Sequence, residues 1–128
     1  MPASEPEQMH GLFEEAFNAG DLKALMALYE PDAALVPQPG ALAEGTDAIR
    51  ESLRWFLDRG GRITLDTKLV VRVGDLAYLS NRWSLTGATM PDGSPAELGA
   101  VTAEVARRQA DGGWLYVIDN AWGDQAAA

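Results

Sequence analysis

Residues 99–122 read GAVTAEVARRQADGGWLYVIDNAW. Two runs rich in β-branched and aromatic residues flank Asp111-Gly112, a pair that favours a tight hairpin turn. With these two residues at the turn centre, Val105 opposes Ile118, Ala103 opposes Asn120, Val101 opposes Trp122, Arg107 opposes Tyr116 and Glu104 opposes Asp119. Side chains alternate between the two faces of a strand. One face therefore carries Val101, Ala103, Val105, Tyr116, Ile118, Asn120 and Trp122. The other carries Thr102, Glu104, Ala106, Arg108, Leu115, Val117 and Asp119. The first face is the more apolar and holds the large aromatics. It is expected to form the inner wall of the protein and of any pocket.

Upstream of the hairpin the hydrophobic period is 2. Ile63, Leu65, Leu69, Val71 and Val73 alternate with polar residues, Gly74-Asp75 makes a turn, and Leu76–Thr86 is a further strand. Pro91-Asp92-Gly93-Ser94 reads as a loop. Before Arg62 the period is helical. A first helix is expected from about Glu5 to Ala19, capped by Ser4 with Glu7, with Met9, Leu12, Phe13, Ala16 and Phe17 on its buried stripe. A second begins after Asp21, buries Leu22, Leu25, Met26 and Tyr29, and stops at Pro31. A short strand, 32–36, and a Pro/Gly-rich connection precede a third helix, which opens at Thr46 and closes at Gly60-Gly61. Residues 1–4 and the final alanines read as loose tails. Helices followed by strands with short turns describe an antiparallel α+β fold in one domain, 1–128.

Composition narrows the function. The chain has 128 residues, no cysteine and one histidine, His10. Disulfides, thiolate chemistry and histidine-rich metal sites are excluded, and no metal or cofactor is expected. A net charge of −9 argues against nucleic acid and anionic membrane surfaces as partners. The N-terminal segment lacks the basic and apolar regions of a signal peptide, and no apolar run is long enough to span a bilayer. A cytoplasmic protein is expected.

The segments GDLKALMALYEPDA and EGTDAIRESL, followed by strands ending in an aromatic-rich one, resemble the nuclear-transport-factor-2-like superfamily, in its SnoaL-like and ketosteroid-isomerase-like branch. The resemblance implies a curved sheet wrapped around three N-terminal helices, a cystatin-like cone with a central hydrophobic pocket, usually paired as a homodimer. It does not fix a function, because this fold hosts isomerases, cyclases, dehydratases, carriers and assembly domains. Steroid isomerases of the branch use a tyrosine on the first helix, an aspartate base after the first strand and an aspartic acid on the penultimate strand. Alignment places Phe13, Pro37 and Val105 there, so the resemblance implies a retained pocket without that machinery. Trp122 matches a pocket aromatic.

The pocket is therefore expected between the first helix and the hairpin, lined by Phe13, Phe17, Tyr29, Trp83, Val105, Ile118, Asn120 and Trp122. Asn120 is its expected polar anchor, since an amide both donates and accepts without bringing charge into an apolar site. Asn120 and Asn81 are candidate donors to a carbonyl or enolate oxygen, and His10 is a candidate base. Each has a plain alternative: a satisfied buried amide, or an idle helix-edge histidine. Arg82, Glu104 and Asp119 form a second constellation on the outer sheet face, read as an ion cluster on a solvated or dimer-buried surface, with an acid–base pair and an orienting cation as the alternative. The leading reading is a binder of a small apolar or aromatic molecule with a carbonyl-type end, acting as a cofactor-free isomerase, cyclase or lyase. A non-catalytic carrier or a homodimerisation module are the alternatives.

Overall fold

The computed structural model describes residues 3–125. A 3₁₀ turn, Pro6–Gln8, leads into α1, Met9–Asn18; α2 is Leu22–Met26 and α3 is Gly45–Asp58. The strands are β1 (Tyr29–Val36), β2 (Ala43–Glu44), β3 (Arg62–Val73), β4 (Leu76–Thr89), β5 (Pro95–Val101), β6 (Ala103–Arg108) and β7 (Trp114–Asn120). They form one curved, unclosed sheet in the order β2-β1-β7-β6-β4-β3, with β5 also paired to β4. The helices pack inside the curve, so the α+β fold of a sheet wrapped around three helices is what the chain adopts.

Several details differ from the sequence reading. The expected first helix begins as a 3₁₀ turn, in which Gln8 rather than Glu7 accepts from the Ser4 and Glu5 backbone N–H groups. Ala3 is fully buried and bridges Trp114, so the expected loose tail over residues 1–4 does not include Ala3; residues 1–2 and 126–128 lie outside the described residues. Tyr29 opens β1 instead of ending α2, and β1 runs parallel to β7. The sheet is thus mixed rather than antiparallel. Side chains of α1 cover the end of β3. Asn18 accepts from Ile63 N at 2.8 Å and donates to Ile63 O at 2.9 Å, and Glu14 accepts from Leu65 N. These bonds occupy backbone groups that an edge strand would otherwise expose.

The hairpin is the main correction. The register far from the turn is as expected: Val105 pairs with Ile118, Ala103 with Asn120 and Glu104 with Asp119. The turn itself is centred on Asp111 rather than between Asp111 and Gly112, since Gln109 N donates to Gly113 O and Arg108 pairs with Trp114. Between Val105 and Ala106 the register shifts, so Ala106 pairs with Tyr116 and Arg107 with Leu115. The extra residue, Val117, is a β-bulge, and a bulge reverses the face of every residue beyond it. Tyr116 is therefore buried on the same side as Asp119. Residues Thr102, Glu104, Ala106, Tyr116 and Asp119 are buried, while Val101 and Ile118 are exposed at 40% and 44%. The inner and outer faces of the β5–β6 line are the reverse of the assignment from apolar content. Arg82 opposes Val101, not Glu104, and takes no part in the carboxyl pair.

Core packing holds this arrangement. Met9, Leu25, Ile49, Leu79, Leu85 and Trp114 are fully enclosed between helices and sheet. No helix among the described residues is long and apolar enough to cross a membrane.

Candidate active site

An apolar cavity of about 60 Å³ lies between α1, α3 and the sheet. Its walls include Phe13, Phe17, Leu35, Leu53, Phe56, Ile63, Leu65, Trp83 and Leu85. Its polar lining consists of Asn81, Thr102, Glu104 and Asp119. The two carboxyl-bearing residues are 3% and 5% exposed, directly opposed across the β6–β7 ladder. Opposed positions in an antiparallel pair hold their Cβ atoms about 5 Å apart, so the two groups share one environment.

Glu104 is held from three sides. His10 Nε2 lies 2.6 Å from Glu104 Oε1, Thr102 Oγ1 donates to the same oxygen at 3.0 Å, and Asn81 Nδ2 donates at 3.3 Å. Helix α1 delivers His10, whose other ring nitrogen, Nδ1, lies 2.7 Å from Thr67 Oγ1 on β3. Thr102 also accepts from Asn81 N, which ties β4 to the junction of β5 and β6. Convergent donors of this kind suit a carboxylate acceptor buried away from water.

Asp119 is partnered differently. Among the described residues its carboxyl receives one hydrogen bond, from the Tyr29 phenol to Oδ2 at 2.6 Å. Burial pushes the Asp119 carboxyl up, and the charge of Glu104 adds to the effect; Tyr29 and His10 oppose it only partly. The result is a rise from the ordinary 3.8 to about 7. Burial likewise raises the Tyr29 and Tyr116 phenols well above 10, reinforced by Asp119 and Glu104 respectively. The two phenols pack at 5.3 Å. The Tyr116 hydroxyl and Asn81 Oδ1 are buried with no hydrogen-bond partner among the described residues.

Of the residues expected at the pocket, Phe13, Phe17, Trp83 and Asn81 line this cavity. His10 and Tyr29 reach it through the carboxyl groups they contact. Val105 and Ile118 face outward, because the inward residue at that level of β6 is Glu104. Asn120 is not a polar anchor: its amide donates to Gly123 O at 2.7 Å and accepts from Trp122 N at 3.2 Å, closing the turn after β7. Trp122 stands behind Trp83 at 5.2 Å, with its indole N–H on Pro37 O. The Glu104–Asp119 pair forms as the hairpin register predicts, but on the inner face of the sheet rather than the outer one. The clue is the alternation Ala100, Thr102, Glu104, Ala106, small or hydrogen-bonding residues that are all buried.

The chain matches the SnoaL-like domain family over residues 10–117. It is similar in structure to a protein from Thiobacillus denitrificans provisionally described as a calcium/calmodulin-dependent protein kinase type II association domain, at 25% identity and TM-score 0.74, covering 98% of both chains. It is also similar to a ketosteroid isomerase-like protein from Erwinia carotovora atroseptica, at 24% identity and TM-score 0.73, with 89% of each chain covered. A protein from Streptomyces avermitilis, provisionally described as a dehydratase of the NTF2-like family, shares 21% identity at TM-score 0.70 over 91% of this chain and 92% of its own. No curated protein matches the chain.

The raised Asp119 acid has a consequence for stability. The folded chain keeps this proton to about pH 7, whereas the unfolded chain releases it near 3.8. Between those values the folded state binds more protons, so the group's contribution to stability falls as pH rises, by at most about 1.4 kcal/mol per pH unit. Urea unfolding of wild type and Asp119→Asn at steps from pH 4 to 8 measures it. The wild-type advantage over the variant should shrink up to about pH 7 and then level; a constant or growing advantage contradicts the assignment.

Proposed function

We propose that this chain, which belongs to the SnoaL-like domain family, is an enzyme moving protons on a small uncharged molecule, with Asp119 as its general acid and base. The observation that carries this reading is a pair of buried carboxyl groups, opposed across the β6–β7 ladder at the polar lining of an apolar cavity, of which Glu104 has several donors and Asp119 one. Burial and the charge of Glu104 push the Asp119 acid up to about 7. An acid–base group works best with a pKa near the working pH. Asp119 can take a proton from carbon or oxygen and return it to a neighbouring atom, which is isomerase or lyase chemistry. Side chains alone suffice for such a transfer.

The lining sets the substrate class. It contains no lysine or arginine, so an anionic group would meet carboxyls without a counter-charge. The aromatic and aliphatic walls favour an apolar or aromatic body, and the polar end of the cavity favours one carbonyl or hydroxyl group. Two of the three positions aligned with steroid-isomerase groups, Phe13 and Pro37, cannot transfer protons; at the third level the inward residue is Glu104, not Val105. This reading replaces Asn120 with Asp119 as the group meeting the ligand's polar end.

The test is hydrogen exchange on carbon. Small uncharged ketones and hydroxyketones that bind the protein are incubated with it in D₂O and followed by NMR. Wild type should place deuterium beside the carbonyl of at least one ligand, and Asp119→Asn should be slower by about 10²–10⁴-fold. Equal rates in the two proteins, or binding without exchange throughout the series, would leave the carrier reading in its place.

We also propose a homodimer through the outer sheet face. The aligned residues Val71, Tyr78, Val105 and Ile118 run across four strands on that face, with Leu69, Val73 and Leu76 beside them. Val73 is 75% exposed and the others named as flanking it are near one half. A continuous apolar patch of this kind marks an association surface. Sedimentation should give twice the 13.7 kDa chain mass, and Tyr78→Glu should shift the protein to monomer. A wild-type monomer at micromolar concentration refutes it.

A further inference from the structure

We propose that His10 and Thr67 form a proton port joining the buried carboxyl pair to solvent at the open edge of the sheet. The inference rests on the reading of Glu104 and Asp119 as an acid–base pair, and it adds how that pair exchanges protons with water.

Asp119 and Glu104 line the apolar cavity and are themselves nearly buried, so a ligand bound there would cover what access they have. Any reaction that consumes or releases a net proton then needs a second path. One leads away from the cavity. Glu104 Oε1 contacts His10 Nε2 at 2.6 Å, and His10 Nδ1 contacts Thr67 Oγ1 at 2.7 Å. His10 is 2% exposed, whereas Thr67 is an exposed residue. The line thus begins in the core and ends, after two short links, on a solvent-exposed residue.

The backbone explains why this threonine can do both. Strand β3 is last in the sheet order, so no strand covers its far side. Thr67 still points inward, paired with Asn81, but it immediately precedes the register shift that leaves Lys68 as an extra residue. Such a bulge bends the strand and opens its local packing. Other ionisable groups do not short-circuit the line. Glu14, one turn further along α1, is committed to Leu65 N, and Tyr29 is committed to Asp119.

The transfer balances within these groups. Water gives a proton to Thr67 Oγ1, whose own hydroxyl proton passes to His10 Nδ1. The ring releases the proton on Nε2 to Glu104, and the imidazole is left neutral in its other tautomer. The reverse sequence carries a proton outward. His10 and Thr67 act through Glu104 and touch no substrate, so they are positioning and relay residues.

His10 is the chain's one histidine, so its ring signals in an NMR spectrum are unambiguous. The rate at which the His10 Nε2 proton exchanges with water, without any substrate, tests the port. Thr67→Val keeps the shape and strand preference but removes the hydroxyl. It should slow exchange about tenfold or more, on the scale of losing a positioned proton-transfer group, while Thr67→Ser should exchange like wild type. A purely structural role predicts the opposite sign, because a ring freed from its partner opens to water more readily. Unchanged or faster exchange in Thr67→Val, or a signal equally broadened in both proteins, overturns the port. The deuterium test of Asp119 can succeed or fail independently, since the ring measurement uses no ligand.

Discussion

Two carboxyl groups that face each other in an apolar enclosure cannot both carry full charge without compensation. Isolated burial of one carboxylate already costs more than a fold of this size can spare, and a second nearby compounds the cost. The chain resolves the conflict by unequal treatment. Glu104 receives a histidine, a threonine and an asparagine, whereas Asp119 receives a phenol. Asp119, the less supported of the two, is buried beside the charge of Glu104, and both effects push its acid up to about 7. Much of the fold serves this inequality. Helix α1 brings His10 to one member, the parallel pairing of β1 with β7 brings Tyr29 to the other, and the β5–β6 junction supplies Thr102.

The apolar walls and the polar end of the cavity are therefore one device. Phe13, Phe17, Phe56 and Trp83 exclude water from the carboxyls, and that exclusion raises the Asp119 acid. The same walls would hold an apolar substrate body against it. Affinity for an uncharged ligand and a neutral-range acid arise from one physical cause, so a polar substitution in the wall would weaken both together.

The fold was legible in the sequence because periodicity is a property of many residues at once. Helical spacing before Arg62, alternation after it and the Asp111-Gly112 turn each survive local irregularities. The face of the hairpin was not, because it hangs on one residue. The bulge at Val117 puts Tyr116 and Asp119 on the same side, although strict alternation separates them. With Tyr116 and Trp122 counted together on one side, apolar content favoured the wrong face. Trp122 adds to the error, since it lies beyond β7, where the turn closed by Asn120 directs the chain. His10, Asn81, Phe13, Phe17 and Trp83 were identifiable because helix and β4 periodicity carry no such interruption near them. The pairing of His10 with Glu104, 94 residues apart, has no local signature.

The central claim is that Asp119 is an acid that ionises near neutrality inside the folded protein. Selective carbon-13 labelling of aspartate side chains, with the Asp119 carboxyl resonance followed from pH 3 to 9, observes this directly. The account predicts a downfield step centred near pH 7, displaced far from the ordinary aspartate value of 3.8. A carboxyl already ionised at pH 5, like an aspartate in water, would contradict it.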